Sequence, residues 1–235
     1  MSHSALLITK IMTISAILLS GGTGSRMGKP IPKQYLTLHD KSIIIHALEA
    51  LLTFPLWKEI VIVCDPSYQS LFSSYKTVPL LFALPGKTRQ DSLFSGFKSL
   101  SPLPKWVCIH DGARPLLKEK DLLNVINAGK THGAAALAVP IKETLKESDD
   151  QLFVKKTLDR KNLWTVQTPQ IITSDLLQKG QQYILEQSLS ITDDVSLAEL
   201  LNHPVKLVLG SESNIKITTI EDLSLAKLLL ENTNG

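Results

Sequence analysis

The chain has 235 residues, 43% of them hydrophobic and 20% charged, with a formal charge of +3. Such a composition supplies the core of one α/β domain and excludes wholesale disorder. Lys and Arg form no long runs, so there is no nucleic-acid footprint, but a few cations around an anionic small molecule fit the balance.

The chain opens with an ambiguity. Lys10 followed by Ile11–Leu19 has the look of a short signal peptide, yet it lacks an A-x-A-like cleavage site. It runs into a glycine cluster, so Thr13–Leu19 reads as a first buried strand. Met12 is an alternative initiator, and the domain is taken as 12–235. Ser42–Thr53 has helical spacing with Ser42 as cap. Glu59–Cys64 reads as a strand ended by Asp65-Pro66, and Leu80–Ala83 as another. Thr88–Leu100 is a helix, Trp106–His110 a central strand, Lys118–His132 a helix closed by Gly133, and Ala134–Val139 a strand. This alternation predicts an α/β fold, a mostly parallel twisted sheet with helices on both faces and a ligand at the carboxyl ends of the strands.

Residues 141–160 break the alternation. Thr144–Lys146 and Leu152–Leu158 are extended on either side of Glu147–Gln151, a β-hairpin signal. A lone hairpin is marginal in water. The arm is therefore expected to pack on a second copy, giving a homodimer. Ser174–Gln187 reads as helix, Val205–Leu209 and Ile215–Thr218 as strands, and Thr219–Leu230 as a last helix with Asp222 completing a cap. Cys64 and Cys108 sit in apolar runs and read as buried thiols. Two cysteines make neither a disulfide framework nor a zinc site, and a reducing cytoplasm is expected. No segment is long and apolar enough to span a membrane.

The chemistry gathers in a few segments. Gly21, Gly22, Gly24 and Gly28 follow the first strand, where backbone N–H groups can approach phosphate oxygens. The spacing fits neither a Walker A loop nor a dinucleotide fingerprint. Arg26 lies within this segment and Lys33 just downstream, with Pro30 and Pro32 stiffening the chain between them. Nucleotidyl transfer needs such cations more than covalent helpers. Asp111, in His110–Pro115, ends a central strand and suits a divalent cation. Arg114 could grip a phosphate, and His110 points away from Asp111 and reads as structural. Gly86–Ser92 opens a helix whose N-terminus, with Arg89 and Ser92, suits a base or ribose. Thr192–Asp194 and Asn214–Lys216, read alone, are a turn and a strand edge.

Taken in order, these segments resemble the 2-C-methyl-D-erythritol 4-phosphate cytidylyltransferases of the non-mevalonate isoprenoid pathway. The carriers are Leu19–Gly28, Pro32–Tyr35, Gly86–Ser92, His110–Pro115, Pro140–Lys146, Leu158–Trp164, Gln167–Gln170, Ile191–Asp194 and Asn214–Thr218. The resemblance implies a Rossmann-like nucleotidyltransferase acting on CTP and a sugar-alcohol phosphate with Mg²⁺. Ser20, Gly21, Gly22, Gly24, Arg26 and Lys33 would hold the triphosphate, with Arg26 and Lys33 catalytic. Gly86, Arg89, Ser92 and Gly112 would sit near the nucleotide, and Asp111 would hold the metal. Arg114, Thr144 and Lys216, with Arg160 and Thr192 from the other subunit, would receive the acceptor phosphate. Residues 141–160 correspond to the family's dimerising arm. Two positions depart from the pattern: Ser25 often carries a basic residue and Lys87 an acidic one. Alternatives are a ribitol 5-phosphate or other sugar-phosphate cytidylyltransferase, and a nucleotide-binding regulator without turnover. Asp159-Arg160 with Leu163-Trp164 favours the methylerythritol acceptor over the first; Arg26, Lys33 and Asp111 argue against the second.

Overall fold

The computed structural model describes residues 14–22 and 31–231. Arg26 and Gly24 lie outside the described residues, as do Ser25, Gly28 and Pro30. Seven strands form the main sheet: β1 (Ile14–Leu19), β4 (Ile60–Val63), β5 (Leu80–Ala83), β6 (Trp106–Asp111), β7 (Ala134–Pro140), β10 (Trp164–Thr173) and β11 (Lys206–Leu209). Their order is β11-β7-β10-β6-β1-β4-β5. Every pairing is parallel except those of β10, which runs antiparallel to both neighbours.

The apolar runs explain the central strands. Every residue of β1 and β4 is buried, as expected where both sheet faces are covered. Alternation then divides the side chains between two cores. Ile14, Ala16 and Leu18 join Ile60 and Ile62 beneath α1 (Ile43–Leu52) and α3 (Glu119–His132). Ile17, Leu19, Val61 and Val63 face the other way. They pack with Leu93 and Phe97 of α2 (Arg89–Lys98), Leu177 and Ile184 of α4 (Ser174–Gln187), and Leu197 of α5 (Ser196–Leu200). A smaller cluster joins Leu38 of β2 (Thr37–Leu38), Ile43, Leu116, Ile217 and Ala226 of α6 (Ile220–Glu231). The short β3 (Lys41–Ser42) pairs with β2.

The element ends follow local chemistry. Thr88 Oγ1 accepts from Asp91 N while Asp91 Oδ2 accepts from Thr88 N, a reciprocal cap on α2. Gly133 closes α3 at φ +84°, a conformation that other residues adopt at a cost. Asp222 accepts from the N–H groups of Thr218 and Thr219 at the start of α6, as expected.

Four expectations need correction. The Ser42 hydroxyl makes no cap bond; it is buried without a partner at the start of α1. Residues 215–218 form no strand: their tie to the sheet end is Ile217 N–H donating to Ala113 O at 2.9 Å. β10 and the short α5 are additions to the predicted elements. The hairpin strands are β8 (Lys146–Ser148) and β9 (Val154–Thr157), offset from their predicted spans. All seven hairpin-strand residues are exposed, so no buried face pins their limits.

Candidate active site

β1, β4, β5 and β6 all run the same way, so their carboxyl ends share one rim. The chain moves outward from β1 to β4 and β5, then returns to the far side of β1 as β6. A ligand crevice belongs at such a switch point. A cavity of about 540 Å³ lies there. Its lining includes Ser20, Gly21 and Gly22 after β1, Lys33 and Gln34 in a one-turn 3₁₀ helix, Gly86 and Arg89 at the start of α2, Asp111 at the end of β6, and Lys216. Among the described residues, four of those lining the cavity are cations (Lys33, Lys87, Arg89 and Lys216) against the single carboxylate of Asp111. That imbalance favours a polyanionic ligand.

Two loops meet closely on one side of the cavity. A Cβ on Gly21 would overlap the Cβ of Pro85, and one on Gly86 would overlap Asp91. Gly21 therefore lets the β1 loop lie directly against the segment that enters α2, and Gly86 lets that segment turn tightly into the helix. Ser92 Oγ accepts the Gly86 N–H at 3.0 Å and itself donates to Thr88 O, so Ser92 shapes the turn.

On the other side, Asp111 is held by cations. Its Oδ1 accepts from Arg89 Nε and Nη2 at 3.1 and 3.0 Å, and its Oδ2 lies 2.7 Å from Lys216 Nζ. Burial alone would raise its pKa, but Arg89, Lys216 and Arg114 together hold it well below the usual carboxylate range. Arg89 has a second carboxylate behind it: Asp194, fully buried, accepts from Nη1 and Nη2 at 2.6 and 2.8 Å. Burial pushes the Asp194 carboxyl up, with Arg89 opposing the shift.

β10 supplies the support beneath this cluster. Thr168 Oγ1 accepts the Asp111 N–H at 3.0 Å and lies 3.0 Å from His110 Nδ1. The other ring nitrogen of His110 faces Arg114 O at 3.0 Å. That carbonyl only accepts, so Nε2 carries the proton and Nδ1 receives the Thr168 hydroxyl. Burial pushes His110 down to about 4, keeping the ring neutral. His110 is thus structural, as its alternation predicts. Asn214, fully buried, donates to Gln167 Oε1 and Thr168 O, which brings the segment carrying Lys216 over the rim.

Asp111 is the one carboxylate among the described lining residues that a divalent cation could use. No group of three His, Cys, Asp or Glu among the described residues would hold a metal by itself. Mg²⁺ commonly binds through one or two carboxylates plus substrate phosphates, and Asp111 in a cation-lined cavity suits that mode. The residues fit an ion that shares its coordination with a triphosphate.

The family model for 2-C-methyl-D-erythritol 4-phosphate cytidylyltransferase matches residues 14–232. This chain belongs to the 2-C-methyl-D-erythritol 4-phosphate cytidylyltransferase family. A chloroplastic relative of that name from Oryza sativa subsp. japonica is 46% identical over 94% of this chain and 75% of its own. One from Chlamydia pneumoniae is 43% identical over 92% and 98%. The crystal structure of 4-diphosphocytidyl-2C-methyl-D-erythritol synthase from Anaerococcus prevotii superposes with a TM-score of 0.82 at 30% identity, covering 93% of this chain and 98% of that one. The chain is accordingly a nucleotidyltransferase with the Rossmann-like fold of the family.

The structure brings Ser20, Gly21, Gly22, Lys33, Gly86, Arg89, Ser92, Asp111 and Lys216 to one cavity. Gly112 and Arg114 stand just behind it. Gly112 N–H donates to Leu19 O at 2.8 Å, and Arg114 Nη1 donates to Asn214 O at 2.7 Å. Thr144, Arg160 and Thr192 are exposed and line no part of the cavity within one chain. Sequence reasoning passed over Asp194, whose partner Arg89 is distant in the chain, and gave no role to Gln34 or Thr168.

Proposed function

We propose that this chain transfers CMP from CTP to 2-C-methyl-D-erythritol 4-phosphate, releasing pyrophosphate, in isoprenoid precursor synthesis. The observation that carries this reading is the cation-rich cavity at the β1 and β6 ends, in a chain of this family. A phosphate oxygen of the acceptor attacks the α-phosphorus of CTP in line. The bond to the bridging oxygen breaks, and pyrophosphate leaves with the electron pair. A phosphate monoester is already anionic at neutral pH, so no base is required. Lys33 and Arg26 stabilise the charge that develops on the phosphates, and the glycine loop holds the triphosphate. Asp111 would hold Mg²⁺, which neutralises phosphate charge when bound. Gly86, Arg89, Ser92 and Gly112 frame the nucleotide; Lys216, Arg114 and Thr144 serve the acceptor phosphate.

Arg160 and Thr192 act from a second subunit in this reading. The arm supports it: Leu152, Phe153 and Val154 are 84%, 68% and 60% exposed, an apolar tip left to solvent in one chain. Residues 141–160 are therefore read as a dimerising subdomain of the 12–235 domain. Phe153→Asp is expected to shift sedimentation from dimer to monomer and to lower turnover while CTP still binds. A wild-type protein that sediments as monomer at micromolar concentration would refute the shared site. Both cysteines are buried free thiols, which fits the reducing cytoplasm in which we place the enzyme.

Pyrophosphate release is the direct test. CTP with the methylerythritol phosphate is expected to give turnover well above CTP with ribitol 5-phosphate. Equal or reversed preference overturns the acceptor assignment, and no release with any acceptor overturns the reaction.

A further inference from the structure

Gln34 follows the cavity lysine in the turn Lys33–Tyr35 and is 3% exposed. Its Nε2 donates to Ser20 O at 2.6 Å and to Gly22 O at 2.8 Å. Both partners are carbonyls, which only accept, so the amide nitrogen and not its oxygen must face them. Each carbonyl takes one of the two amide protons. Tyr35 adds a second hold: its hydroxyl lies 2.6 Å from Ser20 Oγ and 3.3 Å from Ser20 O, and its ring stacks on Tyr68 at 3.5 Å.

The orientation of the loop follows. In a trans peptide the N–H points away from the C=O. With Ser20 O drawn toward Gln34, the N–H of Gly21 is turned to the opposite side of the loop. Neither Gly21 nor Gly22 donates its N–H to a group among the described residues. Backbone donors left without partners beside a cation-lined cavity are suited to an anion.

We propose that Gln34 is a positioning residue that fixes the segment Ser20–Gly22, with the Gly21 N–H already turned toward the triphosphate, before nucleotide binds. This rests on the reading of the loop as a triphosphate cradle. The same short turn thereby sets both Lys33 and the loop, so that one segment aligns two parts of the phosphate site.

The test compares CTP with CMP, which lacks the β- and γ-phosphates. Dissociation constants are measured by calorimetry with Mg²⁺ for the wild type, Gln34→Met and Tyr35→Phe. Gln34→Met keeps the length of the side chain and removes both donors without adding charge. Its CTP affinity is expected to fall about ten-fold while CMP affinity stays within about two-fold. Tyr35→Phe is expected to change the CTP-to-CMP ratio in the same direction by less. A general structural defect would instead weaken both ligands together. An unchanged CTP affinity in Gln34→Met, or an equal loss for both ligands, overturns the proposal. If Gln34→Met does not fold, an unchanged ratio in Tyr35→Phe overturns it. A wild type that binds CTP no better than CMP fails the cradle reading itself, a different outcome from a preference that survives Gln34→Met.

Discussion

Lys33→Ala is expected to fold normally and to lose turnover by about 10²–10³-fold, with a smaller change in the KM for CTP. The folding half of this result comes from the backbone. The turn around Lys33 is closed by Tyr35 N–H to Pro32 O at 2.9 Å and Leu36 N–H to Lys33 O at 3.1 Å, bonds that alanine retains. The kinetic half comes from where charge develops. Negative charge builds on the phosphate oxygens as pyrophosphate departs, so a cation there helps the transition state more than the bound substrate. Lys33→Arg is expected to recover only part of the loss, because a planar fork does not place its charge where the ammonium does. Near-normal kcat in Lys33→Ala would remove Lys33 from the catalytic group. A raised KM with unchanged kcat would reduce it to a binding residue.

Asp111→Asn is expected to abolish turnover and also to destabilise the protein, by about 3 kcal/mol at neutral pH. The carboxylate faces Arg89 and Lys216 at hydrogen-bond distance, with Arg114 further off at 3.9 Å. An amide there offers less to these donors and removes the carboxylate that faces Lys216, while Arg89 keeps Asp194. The pH dependence has a definite sign. The folded-state pKa of Asp111 is depressed, so its contribution is present above the unfolded carboxylate value of about 3.9 and is lost as pH falls below it. The stability gap between wild type and Asp111→Asn, measured by urea unfolding, should therefore be full at pH 7 and shrink below about pH 4. A gap that stays constant with pH, or an active Asn variant, would contradict the role given to Asp111.

The parts of the fold that could be read in advance are those where one local signal agrees with the tertiary context. Leu80–Ala83 and Ser174–Gln187 take their predicted bounds because an apolar run and an amphipathic period each end at clear boundaries. β10 was hidden because Gln167-Thr168-Pro169-Gln170 interrupts it with polar residues and a proline. Those side chains are buried for reasons local sequence does not carry. Gln170 Oε1 accepts the N–H groups of Asp194 and Val195, and Thr168 holds Asp111 and His110. The register of β10 also shifts between Val166 and Gln170, breaking the period of two.

The site divides in the same way. Lys33 and Asp111 were legible as charges beside motif residues, Lys216 only through the family resemblance, and the structure brings all three to one cavity. The glycines were read as room for phosphate, while the structure adds that Gly21 lets two loops touch and Gly86 lets the chain turn into α2. Asp194 looked like part of a turn, because its meaning depends on an arginine on another element. In the proposed reaction, the exposed positions Arg160 and Thr192 act only from a second copy of the chain.

The central position of β1 has a consequence for how the protein assembles. Ile17 pairs with Val61 on one side and with Ile109 on the other. Neither neighbour is local, and the second lies about ninety residues downstream, a separation that slows folding. A nascent chain that has emerged only as far as β5 therefore carries an apolar strand with one bare edge, a target for misdirected pairing. The loop that follows β1 depends on that strand for its position, so the cation-lined cavity takes shape only after β6 has closed the sheet beside it.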